Sequence, residues 1–326
     1  MTKGNGRTER ALRRRNRKIG IVILVALVAG CWLYYGYCMG SGSFALPSVA
    51  GVTASQRPGG HGSDMPAADS TRCGERTAEA AEDVQSAADE SVRPAGLELP
   101  YYDSDDLVLH NDDGRYTFMY DTLYKQSAWV AYMLTAEDAD GGNATRRDRF
   151  VPDPAVVERG YPTAVTSDYK GSGYDRGHLC PSADRTCSQA ENDCTFYMSN
   201  ISPQTPALNR GPWKALEEQV RQWAVDCDTV YVVTGGVLEP GLDTIAGGVG
   251  IPEYFYKAVM TVYGGEYRTI GFLLPNAERF DDTFLDYTVT VDSLEAVTSL
   301  DLFQNMPDSC EERAESGVSS GFWFGR

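Results

Sequence analysis

The sequence predicts an α+β fold with a mixed, largely antiparallel sheet, set behind one transmembrane helix. Three observations lead there. Apolar runs at strand spacing flank a single long helical pattern without regular strand–helix–strand alternation. An uncharged run of 21 residues follows directly on a basic block. The composition, 42% apolar and 11% aromatic against 23% charged over 326 residues, is enough to bury a sizeable core. The formal charge of -17, from 29 bases against 46 acids, argues against a protein whose whole surface coats nucleic acid but leaves room for a local basic site.

Residues 1–18 form a basic, cytoplasmic N-terminus in which Lys3, Arg7, Arg10, Arg13, Arg14, Arg15, Arg17 and Lys18 face one acid, Glu9. Residues 19–39 carry no charge, and as a helix rising ~1.5 Å per residue they span about 31 Å, a bilayer core. Trp32, Tyr34, Tyr35 and Tyr37 crowd the far end, where amphipathic rings settle at the lipid surface. The bases before the run place the N-terminus in the cytoplasm and everything after it outside. The competing reading is a cleaved signal peptide, whose apolar stretch usually covers only ~7–15 residues. From 40 to 100 the composition turns to Gly, Ser, Ala, Pro, Asp and Glu, which reads as a flexible tether.

Cys31 and Cys38 lie in the apolar run, leaving Cys73, Cys180, Cys187, Cys194, Cys227 and Cys310 in the exported part. Export permits disulfides, so these six are expected to be mostly paired, with Cys187–Cys194 as one bridge. Zinc is the alternative, but Cys180, Cys187 and Cys194 stand seven apart, wider than the spacing of structural zinc ligands.

Residues 101–310 form the folded domain and 311–326 a C-terminal tail. Residues 116–120 and 128–134 read as a hairpin, 195–201 as a strand, and 229–234, 254–262 and 269–274 as further strands. Residues 209–224 read as a helix with Asn209 as its cap and Pro212 in the first turn. Asn209, Trp213, Glu217 and Arg221 recur every four residues and so share one helical stripe. For the stripe alone, a solvated face with a Glu217/Arg221 ion pair worth ~0.3–0.5 kcal/mol is the favoured account.

Two common catalytic signatures are missing: no G-x-x-x-x-G-K-[ST] phosphate loop and no H-E-x-x-H pair. The three histidines are His61 in the tether, His110 near the domain start, and His178, which follows a Gly-rich turn and sits beside Gly177. A lone histidine is usually structural, so its neighbours decide.

Tyr174-Asp175-Arg176-Gly177-His178, then the Ser199-Asn200-Ile201-Ser202-Pro203-Gln204 stretch, then Asn209-Arg210-Gly211-Pro212-Trp213 with Glu217 and Arg221, together resemble the DNA/RNA non-specific endonuclease family. Weaker resemblance extends over most of 101–308. It implies a ββα-metal (His-Me finger) fold and hydrolysis of phosphodiesters in DNA and/or RNA, leaving 5′-phosphate ends. It further implies His178 as general base, Mg²⁺ held by Asn209 with Glu217 fixing its water shell, and Mn²⁺ as a substitute. Arg176 and Arg221 would grip phosphate, Asn200 would orient water or phosphate, and an arginine of the 146–149 cluster, Arg146 first, would add a further phosphate contact. The chemistry is consistent: an imidazole with reference pKa near ~6.5 can take a water's proton, and a hard cation with one carbonyl ligand keeps several waters. From Lys170 to Arg221 six bases balance six acids, within residues 101–326 that hold 17 bases and 36 acids. This permits a phosphate groove with weak long-range steering and little sequence preference. Two other classes stay open: an inactive, disulfide-braced binding domain on the same fold, and a zinc hydrolase using His178 and a cysteine.

Overall fold

The computed structural model describes residues 95–325. The apolar run at 19–39, most of the tether, and Cys31, Cys38 and Cys73 lie outside the described residues. Among the described residues, no helix is long and apolar enough to cross a membrane.

Nine strands lie among the described residues: β1 Val108–Asn111, β2 Tyr116–Asp121, β3 Gln126–Thr135, β4 Asp175–His178, β5 Ile201–Gln204, β6 Thr229–Gly236, β7 Tyr254–Tyr263, β8 Glu266–Pro275 and β9 Thr288–Val289. The α-helices are α1 Ala136–Asp140, α2 Pro154–Val157, α3 Gln189–Cys194, α4 Pro206–Arg210, α5 Pro212–Cys227, α6 Val291–Thr298, α7 Asp308–Glu315 and α8 Ser320–Trp323. Seven strands form one sheet in the order β1-β2-β3-β6-β7-β8-β9, and every ladder in it is antiparallel.

Strand chemistry follows position in that sheet. The outer β2 alternates buried and half-buried residues, whereas the central β6, rich in β-branched side chains, is buried along its whole length. A strand covered on both faces must be apolar or hydrogen-bonded at every position. On one face, Phe118, Val130, Tyr132, Val230 and Val232 pack against Trp213, Leu216, Val220 and Trp223 of α5. On the other, Trp129, Ala131, Tyr231, Val233 and Ala258 pack against Leu294, Leu302 and Phe303.

β4 and β5 form a separate two-stranded ribbon, paired Asp175↔Gln204, Arg176↔Pro203, Gly177↔Ser202 and His178↔Ile201. Helix α4 follows at once, so strand, strand and helix occur in the expected order. Two local expectations are corrected. Residues 195–201 are not a strand: Met198–Asn200 is a 3-10 turn, and β5 begins only at Ile201. The helix expected at 209–224 is two helices broken at Gly211, whose φ of -107° and ψ of -116° lie outside the helical region. Thr205, not Asn209, caps α4, and Asn209 stands in its last turn; Pro212 does open α5 as expected. Trp213 accordingly leaves the polar stripe and faces the core.

The segment read as a tail joins the core. Trp323 is buried; its indole Nε1 donates to Thr269 O at 3.1 Å, and Trp223 Nε1 donates to Trp323 O at 2.9 Å.

The expected Cys187–Cys194 bridge is not formed, and Cys180, Cys187, Cys194 and Cys310 are thiols. Cys187 precedes α3 and Cys194 is its last residue, and the two face different ways. Cys187 Sγ lies 3.5 Å from Asp138 Oδ1, while Cys194 is buried near Gly114 and Tyr116. A bridge needs converging Cβ vectors, which a short helix between the two does not supply. The zinc alternative loses its ligands for the same reason: the one metal-competent group containing a cysteine among the described residues is Asp138, Cys187 and Glu191, without His178. Alkylation of the native, unreduced protein should label the half-buried Cys187 and Cys310 and spare the buried Cys180 and Cys194 until denaturant is added. Peptide mass mapping reads this directly, and recovery of a linked Cys187–Cys194 peptide would contradict it.

Candidate active site

The ribbon presents Arg176 and His178 on one face, as strand alternation requires. Both meet Phe150: the Arg176 guanidinium lies 4.2 Å from the Phe150 ring centroid and the His178 ring centroid 5.6 Å away. Phe196 closes the other side, edge-on to His178 at 4.9 Å, and carries Arg146 over its ring at 5.3 Å. His178 thus sits between two aromatic rings, each with an arginine on it.

That setting fixes its protonation. His178 is buried and its Nε2 has no hydrogen-bond partner, whereas Nδ1 is not sealed in this way. Burial first, then the charges of Arg146 and Arg176, lowers its pKa to about 3, so the ring is neutral at physiological pH. Gly177 is required beside it because Gln204 lies where any Cβ would go.

Asn209, half-buried in α4, donates from Nδ2 to Asp175 Oδ2 at 3.0 Å. Arg210 forks onto the same carboxylate, at 2.8 Å from Nε and 2.7 Å from Nη2. Despite its burial, Asp175 keeps a pKa below the usual carboxylate value through these donors and the Arg210 and Arg176 charges.

Glu217 and Arg221 project from α5, but not as an ion pair. Arg221 Nη1 binds Asp184 Oδ1 at 2.8 Å, and Tyr132 donates to the other oxygen of that buried carboxylate at 2.9 Å. Burial raises the Glu217 pKa to about 8, opposed by Lys257, Arg221 and Arg146 and reinforced by Asp184. Lys257 on β7 is fully buried, donates to Thr234 Oγ1 at 3.2 Å and lies 4.7 Å from the Trp213 ring centroid. Its pKa is lowered by burial. Arg146 therefore acts on both His178 and Glu217, and Arg176 on both His178 and Asp175.

Of the 146–149 cluster, Arg146 faces this centre, held by Ser182 Oγ at 2.9 Å, while Arg147 turns away to Asp193 at 3.0 Å. Asn200 is the correction. It is fully buried, donates to Cys180 O at 2.8 Å and Thr195 O at 2.9 Å, and accepts from Cys180 N at 2.8 Å. Both of its amide hydrogens are used, so it has no donor left for phosphate; it pins the end of β4 to the 3-10 turn.

The donor set fits a hydrated divalent cation. Asn209 Oδ1 and the Glu217 carboxyl oxygens accept no hydrogen bond from any described residue; the Glu217 carboxyl, its pKa raised to about 8, is protonated at neutral pH and would ionise beside the positive charge of a cation, and a hard ion that keeps its waters needs few protein oxygens. The acid-rich groups among the described residues, Asp138–Cys187–Glu191 and Asp292–Glu295–Glu315, include neither, and Arg115 already occupies the first.

Residues 106–309 match the family model of DNA/RNA non-specific endonucleases. The chain belongs to the DNA/RNA non-specific endonuclease family. It is 33% identical over 215 residues to a nuclease of Nostoc sp., covering 63% of this chain and 77% of that protein. It is 31% identical over 216 residues to mitochondrial endonuclease G of Homo sapiens, covering 62% and 72%. In three dimensions it is similar to the chain in a crystal structure of an EndoG/EndoGI complex, with a TM-score of 0.59, 27% identity, and 66% of this chain and 91% of that one covered. The nuclease is an enzyme of a divalent-metal-dependent class. Sequence reasoning missed Phe150, Phe196, Asp184 and Lys257, whose parts depend on tertiary contact; Asp175 stood inside the motif without a role.

Two outcomes are expected. Asn200→Ala leaves three buried backbone groups unsatisfied and should cost about 2–4 kcal/mol of stability, read by denaturant titration. For His178 the folded pKa, about 3, lies below the unfolded 6.5, so protons favour the unfolded chain and stability falls as pH drops below 6.5. The His178 Cε1 proton should keep its neutral NMR position from pH ~8 to ~5, and His178→Gln should flatten the fall in melting temperature over that range; a titration near 6.5 would contradict the geometry.

Proposed function

We propose that this protein is a membrane-anchored endonuclease that hydrolyses phosphodiesters of DNA and/or RNA, with His178 as general base and Mg²⁺ held by Asn209. The observation behind this reading is the neutral imidazole of His178, open at Nδ1 and flanked by two arginines.

His178 Nδ1 takes the proton of the attacking water, leaving the ring with its second proton on Nε2. Arg176 and Arg146 bind the phosphate whose charge they match, and that neutralisation removes the two cationic influences holding His178 down, so the imidazole becomes a better base once substrate is seated. Arg221, kept in place by Asp184, stabilises the charge that builds on phosphorus. Asn209 Oδ1 holds the cation and Glu217 orients its waters. A bound Mg²⁺, or Mn²⁺ in its place, supplies Lewis-acid neutralisation of the phosphate. The new bond joins water oxygen to phosphorus, the P–O3′ bond breaks and the departing O3′ takes a proton from solvent water, so products carry 5′-phosphate and 3′-hydroxyl ends. Contacts with phosphates alone give little sequence preference. The basic residues before the apolar run and the aromatic ones at its end support an anchor with the nuclease facing away from the cytoplasm.

The full chain should degrade supercoiled plasmid with Mg²⁺ or Mn²⁺ and stop with EDTA. His178→Ala should lower turnover ~10²–10⁴-fold with the fold intact. Near wild-type, EDTA-sensitive cutting by His178→Ala would end the general-base reading; a wild type that cuts neither DNA nor RNA with either metal would make the domain a binding module.

A further inference from the structure

Asp175 opens the motif that ends in His178, yet the proposed chemistry gives it no part of its own. Its carboxylate accepts three hydrogen bonds, one from Asn209 and two from Arg210. These leave it poorly placed to be a metal ligand itself. They bear instead on Asn209. The two ends of an asparagine amide have nearly the same size, and rotation by half a turn exchanges carbonyl for NH₂. Only the carbonyl end can hold a hard cation; the NH₂ end has no lone pair to offer.

From this contact we infer that Asp175 is a positioning residue, whose acceptance of the Asn209 Nδ2 hydrogen bond fixes the Asn209 carbonyl toward the cation, with Arg210 holding the carboxylate in register. The inference rests on Asn209 being the metal-holding residue. An ionised carboxylate accepts only, so the atom 3.0 Å from it is the amide nitrogen and Oδ1 is left facing away. The backbone supports the arrangement. Asp175 is fixed by its pairing with Gln204 in the ribbon, and Asn209 by a helix that begins two residues after Gln204, capped by Thr205. The Asp175 side chain is 19% exposed, so the contact is less screened than a surface pair, whereas Arg210, at 71%, braces it from the solvent side. The same contact explains an amide at 209: a carboxylate there would stand against Asp175 as a like charge with no donor between them.

Mn²⁺ binding to the full chain, measured by titration calorimetry or by the free-Mn²⁺ paramagnetic signal, tests this without reference to catalysis. Asp175→Ala should weaken Mn²⁺ binding about 10–100-fold, with the thermal transition of the metal-free protein retained. Asp175→Asn should recover most of that affinity, because its carbonyl can still accept from Asn209 Nδ2. Wild-type Mn²⁺ affinity in Asp175→Ala, or an Asp175→Asn no better than the alanine variant, overturns the inference. Asn209→Ala is the control: if it binds Mn²⁺ as wild type does, the metal site itself has been misassigned, whatever Asp175 does. Should Asp175→Ala fail to fold, a crystal structure of the wild type with Mn²⁺ decides. Asn209 Oδ1 on the metal with Nδ2 on Asp175 supports the inference, and an Asp175 oxygen on the metal overturns it.

Discussion

A ribbon of two four-residue strands is too small to hold its shape in water alone, and the candidate site hangs on the contacts that fasten this one. Asn200 ties its end to the turn before β5. Ser202 donates to Gln126 at the start of β3, Ser127 donates to Ser199 O at 2.7 Å, and Asn276 Nδ2 donates to Pro203 O at 3.0 Å. The Ser202 and Pro203 contacts join the ribbon itself to the large sheet and a flanking loop, and the Ser199 contact joins the turn before β5 to β3. In a buried layer such bonds specify position more sharply than apolar packing does, because a shifted partner leaves a polar group unsatisfied. The register of β4 against β5, and with it the direction of Arg176 and His178, follows from this fastening.

The electrostatics work against the bulk of the domain. Acids predominate over most of residues 101–326, yet around His178 two arginines rest on aromatic faces and a buried lysine stands behind Glu217. Stacking on Phe150 and Phe196 holds the Arg176 and Arg146 guanidinium groups in place, which an exposed arginine in an acidic setting would not otherwise keep. Positive charge is thereby concentrated where a phosphate must lie, without making the surface basic.

Much of this was legible in the sequence. The strands of the large sheet were visible because β-branched and aromatic residues recur in runs of strand length, and the candidate site because Asp175 to His178, Asn209, Glu217 and Arg221 together resemble the family's motif, whereas spacing alone favoured a solvated helix face. The break at Gly211 was hidden by a four-residue repeat that runs through it; Pro212 marked the start of α5, but the periodicity outweighed it. Asn200 read as a substrate contact because its amide chemistry suits either role, and only the position of Cys180 and Thr195 in space shows which one it fills. The cysteines were misread because export was taken to imply pairing, whereas each thiol has a local environment that spacing does not reveal.

The docking of Trp323 has a bearing on how the chain acquires its structure. Trp223 is covered by Trp323, Phe324 and Phe272, and its indole proton is received by the Trp323 carbonyl, 100 residues further along the chain. During synthesis that side of α5 stays bare until Trp323 has left the ribosome. A nascent chain already carrying every residue of the site would still lack that packing layer.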